Sequence, residues 1–192
     1  MAVVVVLIAT RVQLQKSQPS SAPVQNPSAD FNYYVLALTW TPGFCASHQG
    51  ADECGRGAGF GLHGLWPQVS AQDYPSFCSR EPLPRSVRQQ YRNLYPSPNL
   101  IDHEWTKHGT CSGLSPSDYF ALSDRLRRRI IIPKDYAEPR LIDVQEVGAL
   151  KRAFQQANPG LPSNGIQTSL ANHALQEVRI CLTKTGDFRA CR

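Results

Sequence analysis

The segment Asp102 to Cys111, DHEWTKHGTC, places two imidazoles, a carboxylate and an ammonium within six residues, His103 to His108. A helix over residues 101–108 turns about 100° per residue, so His103, Glu104, Lys107 and His108 share an arc of roughly 140°. His103 then lies beside Lys107, and Glu104 beside His108, each at i,i+4. Trp105 and Thr106 point elsewhere, Trp105 toward a core, and Gly109 is a favoured helix stop. Such a face can exchange protons and compensate the charge of an anion at the same place. A solvated helix laced with charge pairs has the same composition, so the segment alone leaves both readings open. A zinc hydrolase is disfavoured. Its motif, H-E-x-x-H, sets two histidines at i,i+4. Here the second falls at i,i+5, and Lys107 stands where the ligand belongs.

The second segment is Phe60 to Gln68, FGLHGLWPQ. Glycines at 61 and 64 leave little bulk around His63, and glycine within a strand permits close approach of a ligand. Trp66 offers a flat surface that can stack a base. It can equally pack a core together with Pro67.

Positioning these groups takes a scaffold. The chain has 192 residues, enough for one domain with a sizeable core and too few for two comfortable ones. With 41% hydrophobic and 18% charged residues it reads as globular. A net charge of +5 permits an anionic partner without requiring one. Tyr33 to Trp40 (YYVLALTW) is a β-rich run stopped by Pro42 and Gly43, and Phe60 to Leu65 is a second short apolar stretch. Ser86 to Leu94 reads as a helix capped by Ser86 and closed by Pro96. Ser115-Pro116-Ser117-Asp118 starts another, with serine as cap and proline at the first position, running to about Ile130. Asp143-x-x-Glu146 is a capping-box variant. Val147, Leu150 and Phe154 follow at helical spacing, stopped by Pro159 and Gly160. Leu175 to Leu182 (LQEVRICL) alternates like a half-buried strand, and Asp187-Phe188 leads into a short return. No internal repeat is present. Irregularly mixed strands and helices indicate an α+β fold with a central antiparallel β-sheet flanked by several helices.

Six dispersed cysteines, Cys45, Cys54, Cys78, Cys111, Cys181 and Cys191, show neither zinc-ribbon nor redox spacing. They suit a disulfide-stapled fold made in an oxidising compartment, with more connectivities than sequence can decide between. Residues 1–12 contain a short apolar run, Ala2 to Ala9, resembling a signal peptide but lacking its positive n-region. Residues 13–30 are a Ser/Pro/Gln-rich leader, and residues 31–192 form the expected domain. No segment is apolar enough for a membrane span. Secretion, or export to a periplasm, is the expectation.

Taken together, H-G-L-W-P-Q at 63–68 and H-E-W-T-K-H-G-T-C at 103–111 resemble the two active-site boxes of the T-two family of secreted acid ribonucleases. That family includes the plant self-incompatibility ribonucleases. The similarity covers most of Tyr33 to Cys191: Tyr33 to Trp40 with Pro42 to Cys45 looks like the family's first core strand, and Glu177 to Leu182 like its last. The resemblance implies a metal-independent, cofactor-free endoribonuclease acting on single-stranded RNA, with DNA inert and the chain monomeric. It assigns His108 as general base, His63 as general acid, Glu104 and Lys107 as stabilisers of the phosphorane, and His103 as a phosphate-binding residue. The products would be a 2′,3′-cyclic phosphate, then a 3′-phosphate. Trp66 and Tyr74 lie where the family stacks a base, while Gln68 replaces an acid found in some relatives and leaves base preference open. Trp40 is either part of a second base subsite or core. The stretch before His103, PNLID, lacks an aromatic residue common in relatives. The implied disulfides are Cys45–Cys54, Cys78–Cys111 and Cys181–Cys191. His48 and His173 match no catalytic position and belong on the surface, and Arg125 with Arg127 to Arg129 forms the solvated face of a helix. The rival class is an RNA-binding protein of this fold without turnover, but both histidines, Glu104 and Lys107 are retained.

Overall fold

The run YYVLALTW carries no charge and no polar face, so a strand made of it must be covered on both sides. In the computed structural model, which describes residues 30–56 and 59–191, β1 (Tyr33–Trp40) is buried at every position but Thr39. It pairs antiparallel with β2 (Phe60–Gln68) on one side and β4 (Ala174–Leu182) on the other. The fourth strand, β3 (Ile166–Ala171), forms a hairpin with β4, giving the order β2-β1-β4-β3. The hairpin turns at Asn172 and His173, both at positive φ (50° and 62°), as a two-residue turn matched to strand twist requires.

Side chains alternate across this sheet. Tyr34, Leu36, Leu38 and Trp40 join Val178 and Ile180 in the main core. Helices α4 (Pro116–Arg129) and α5 (Val147–Ala157) cover that face with Tyr119, Phe120, Leu150 and Phe154. On the opposite face Tyr33, Val35 and Cys181 make a small cluster with Trp66 and Cys191. The expected α+β architecture, an antiparallel sheet with flanking helices and three disulfides, is the one observed.

Both start signals read for the later helices operate. Ser115 caps α4 by accepting the Asp118 amide, and Asp143 with Glu146 forms the capping box. One short 3-10 turn, Val144–Glu146, intervenes before α5. Other boundaries differ from expectation. The helix expected at Ser86 to Leu94 is α2 (Arg85–Gln90), with Pro84 rather than Ser86 at its cap. Pro84 is already extended, and its carbonyl accepts the first helical bond, from Arg88. The helix bearing the histidines, α3 (Leu100–Lys107), ends with His108 at its C-cap, within a residue of the expected stop at Gly109, and a 3-10 turn, Gly109–Cys111, follows it. Gly109 also serves contact, since a Cβ there would overlap the Trp105 ring. Strand β4 is central, and most of its residues are buried on both faces. Arg127 leaves the solvated face of α4 to donate to the Phe60 carbonyl at 3.1 Å. Pro42 and Gly43 do not merely stop β1: they open α1 (Thr41–Ser47), with proline in its first turn. Gly43 is pressed so closely on the Leu175 carbonyl that no side chain fits. The signal-like segment and the leader through residue 29 lie outside the described residues. No helix among those described is long and apolar enough to cross a membrane.

The disulfides are Cys45–Cys54, Cys78–Cys111 and Cys181–Cys191, the pairing the resemblance implied. Cys78–Cys111 closes 33 residues and ties the loop after β2 to the end of the histidine helix. The Phe77 amide reinforces it, donating to the Lys107 carbonyl at 2.9 Å. Replacing both cysteines with alanine is expected to lower stability by about 3–4 kcal/mol through restored chain entropy, measured by guanidinium unfolding of the oxidised proteins.

Candidate active site

His63 owes its position to a fault in the sheet. The β1–β2 ladder pairs Ala37 with Gly64 and Leu38 with Leu62, so the pairing skips His63. A bulge of this kind re-aims a side chain and is common beside active sites. The ring sits half-exposed on the face away from the main core, its Nδ1 2.6 Å from Glu177 Oε1 on β4. Its Nε2 lies 3.9 Å from Glu104 Oε1 on α3.

Helix α3 divides its residues sharply. Ile101, Glu104 and Trp105 are buried, His103 is exposed, and His108 at the C-cap is 3% exposed. Trp105 enters the core and donates to the Glu81 carbonyl at 2.8 Å. Glu104 is wholly buried, accepting from Trp66 Nε1 at 2.9 Å through Oε2. Among the described residues its Oε1 has no hydrogen-bond partner, and neither does His108 Nδ1. With Nδ1 sealed in, Nε2 is the nitrogen of His108 that substrate can reach. The Trp66 indole bridges the two imidazoles, edge-on to His63 (5.0 Å between centroids) and stacked on His108 (5.2 Å). All three line one cavity of about 350 Å³ with Gln68, Tyr74, His103, Lys107 and Arg179. That volume suits a nucleotide-sized ligand.

Residues 31–191 match the model of the Ribonuclease T2 family. The chain belongs to that family. It is 38% identical over 174 residues to a ribonuclease of Aeromonas hydrophila, covering 87% of this chain and 79% of the relative. It is 31% identical over 186 residues to a probable ribonuclease of Haemophilus influenzae, covering 88% of this chain and 64% of that protein. Among solved structures, an RNase-related protein from Calystegia sepium superposes with a TM-score of 0.66 at 22% identity, over 85% of this chain and 91% of the other. The last comparison concerns the fold; family and sequence relatives make this chain a T2-type endoribonuclease.

In this T2-family ribonuclease the titratable groups are driven apart by their surroundings. Burial pulls the His63 pKa down, but the hydrogen bond and charge of Glu177, and the charge of Glu104, outweigh it. The net shift is above the ordinary 6.5, with Arg179 holding it back. For His108 burial acts in the same direction as Lys107, His103 and His63, and its pKa falls to about 3. Burial first, then Lys107 and His63, also lower His103. Glu104 moves the other way: burial pushes its carboxyl up to about 8, against the pull of His63, Trp66 and Lys107. The surroundings thus favour a cationic His63 against a neutral His108, with the Glu104 carboxyl inclined to hold its proton.

All the residues singled out in the two boxes meet in this cavity, apart from Glu104, which closes its wall. Tyr74 is 45% exposed with Lys107 Nζ 5.8 Å from its ring centre, leaving it an open face. The Trp66 ring is already engaged by His108 and has the Arg179 guanidinium over it at 5.3 Å. Trp40 belongs to the core: it is fully buried and donates to the Arg140 carbonyl at 2.7 Å. His48 is exposed and stacked on Phe44, and His173 sits in the exposed hairpin turn. His103, Glu104 and His108 bring three potential metal-ligating atoms within 4.8 Å of one another. Lys107 projects from the same turn into the same cavity, so the donor set suits an anion better than a cation. Two residues of the site, Glu177 and Arg179, were not singled out in the sequence.

Proposed function

We propose that the chain cleaves single-stranded RNA by in-line transesterification, with His108 and His63 as base and acid. Neutral His108 removes the proton from the ribose 2′-hydroxyl. The oxygen attacks the adjacent phosphorus, and the bond to the 5′-oxygen breaks as His63 Nε2 delivers its proton there. The products are a 2′,3′-cyclic phosphate and a 5′-hydroxyl, with hydrolysis to a 3′-phosphate in a second step. Charge on the pentacovalent phosphorane is met by the Lys107 ammonium and by the proton of Glu104, whose unpartnered Oε1 can donate to a non-bridging oxygen. His103, at the mouth, contacts an adjoining phosphate, Tyr74 stacks the base on its open face, and Trp66 forms the floor against which the base edge rests. No metal or cofactor takes part, and DNA, lacking the nucleophile, is not cut. The chain acts as a monomer, and three disulfides support its release to an oxidising compartment outside the cytosol.

The observation that carries this is the pair of imidazoles flanking one indole in one cavity, with environments that favour opposite protonation states. The test is the pH dependence of kcat/KM, which reports the free enzyme. The active form has His63 protonated and His108 neutral. Activity is therefore lost as pH rises through the His63 pKa, above 6.5, and as pH falls toward the His108 pKa near 3. Activity is expected to hold through the mildly acidic range, with the alkaline midpoint above 6.5. An acid limb centred near 6.5 would mean that His108 is not the buried neutral base.

A further inference from the structure

We propose that Glu177, clamped by Arg179, is a positioning residue for His63, fixing the orientation of its ring and keeping the Nδ1 proton in place. The proposal rests on the assignment of His63 as the general acid. Glu177 lies at mid-sheet on β4, opposite Thr39 of β1 and Ser169 of β3. It is only 5% exposed. A carboxylate is an expensive choice for such a place unless each oxygen is used. Both are. Oε1 lies 2.6 Å from His63 Nδ1, and Oε2 accepts from Arg179 Nε at 2.5 Å.

The sheet is faulted at both partners. One register shift skips His63 on β2, and the other, between Ser169 and Leu170 of β3, skips Gln176, the neighbour of Glu177 on β4. The bulge on β2 re-aims His63, and its ring meets a carboxylate 114 residues away in sequence. The contact fixes which nitrogen does chemistry. With Nδ1–H donated to Glu177, Nε2 is directed toward Glu104 Oε1 and the cavity. During cleavage the Nε2–H bond breaks and the O5′–H bond forms, while the Nδ1 proton stays on the ring. Glu177 thus never takes a proton, and Arg179 keeps it ionised.

The groups facing His63 are Glu177 and Arg179 from β4 and His103, Glu104 and His108 from α3, with Lys107 lining the same cavity. Among them Glu177 is the one that both hydrogen-bonds the ring and opposes the depression caused by burial. Its own carboxyl feels burial as an upward push, overcome by His63 and Arg179, so its pKa lies below the ordinary carboxylate value.

The experiment uses Glu177→Gln, which keeps an acceptor for Nδ1–H but removes the charge, and Arg179→Gln, a change at a partly exposed side chain. The His63 imidazole is titrated by NMR in the free, disulfide-intact proteins. In Glu177→Gln its midpoint is expected to fall by about one unit or more, and in Arg179→Gln to rise. With RNA as substrate, kcat of Glu177→Gln is expected to fall about 10–100-fold with little change in KM, in line with the loss of outer-shell support. With a nucleoside 3′-aryl phosphate, whose leaving group needs no acid, the defect should largely vanish. A midpoint that stays put in both variants, or an equal loss on both substrates, would overturn the proposal. The titration needs no RNA cleavage, so wild-type protein that leaves RNA intact would refute the proposed function without deciding the Glu177–His63 coupling.

Discussion

His63→Ala and His108→Ala are each expected to lower kcat on single-stranded RNA by about 10²–10⁴-fold, the usual worth of a positioned acid or base. They should part company on a substrate with an activated aryl leaving group. Expulsion of an aryloxide needs no protonation, so His63→Ala should recover most of the wild-type rate there. His108→Ala should not recover, because the 2′-hydroxyl must still be deprotonated. The structure gives the reason for this division. His63 is hydrogen-bonded to the Glu177 carboxylate, which favours its cation, while His108 is buried beside Lys107 and two other imidazoles, which disfavour one. If the aryl substrate rescued His108→Ala and not His63→Ala, the two roles would have to be exchanged.

The second large effect comes from a residue that carries no chemistry. A Cβ added at Gly64 would overlap both Glu104 Oε2 and Trp66 Nε1, the two atoms of the hydrogen bond behind the active site. Glu104 is wholly buried on α3, so a Cβ at Gly64 displaces the helix that leads into His108. Gly64→Ala is expected to cost about 100-fold or more in kcat/KM, as displacement by an ångström does elsewhere. Gly61→Ala on the same strand is the control. Its Cβ would make only ordinary contact with the Pro96 ring, 3.5 Å away, so activity near wild type is expected. Equal losses at both glycines would point to damage to strand β2 rather than to the site.

Much of the scaffold is legible in the sequence because its signals are local. YYVLALTW declares a central strand, Ser115 and Asp143 announce helix starts, and the spacing in α3 puts four polar groups on neighbouring positions. Strand β3 is not legible in the sequence because IQTSLA is short and half polar, and pairing with β4 rather than its own pattern makes it a strand. Helix α1 was missed because Pro-Gly reads as a stop, whereas proline is also welcome in a first turn. The disulfide pairing matched through family resemblance, not through spacing.

Within the site, the two histidine boxes could be read, but the arrangement that differentiates them could not. The bulge at His63 exists only once β1 and β2 are paired, and Glu177 looks like one polar residue of an alternating strand until the sheet closes. Complete burial of Glu104 is likewise invisible in a helix whose composition suits a solvated face. These are consequences of contacts between distant segments, which local periodicity does not encode.

The central claim is that the ribose 2′-hydroxyl is the nucleophile and that side chains, not a metal, move the protons. The most direct measurement is digestion of a labelled DNA oligonucleotide containing a single ribonucleotide, in excess EDTA at mildly acidic pH, with both new ends identified. Cleavage only on the 3′ side of the ribonucleotide, leaving a 2′,3′-cyclic phosphate and a 5′-hydroxyl, is the predicted result. Cleavage elsewhere in the DNA, a 5′-phosphate end, or loss of activity in EDTA that added divalent cation restores would contradict it.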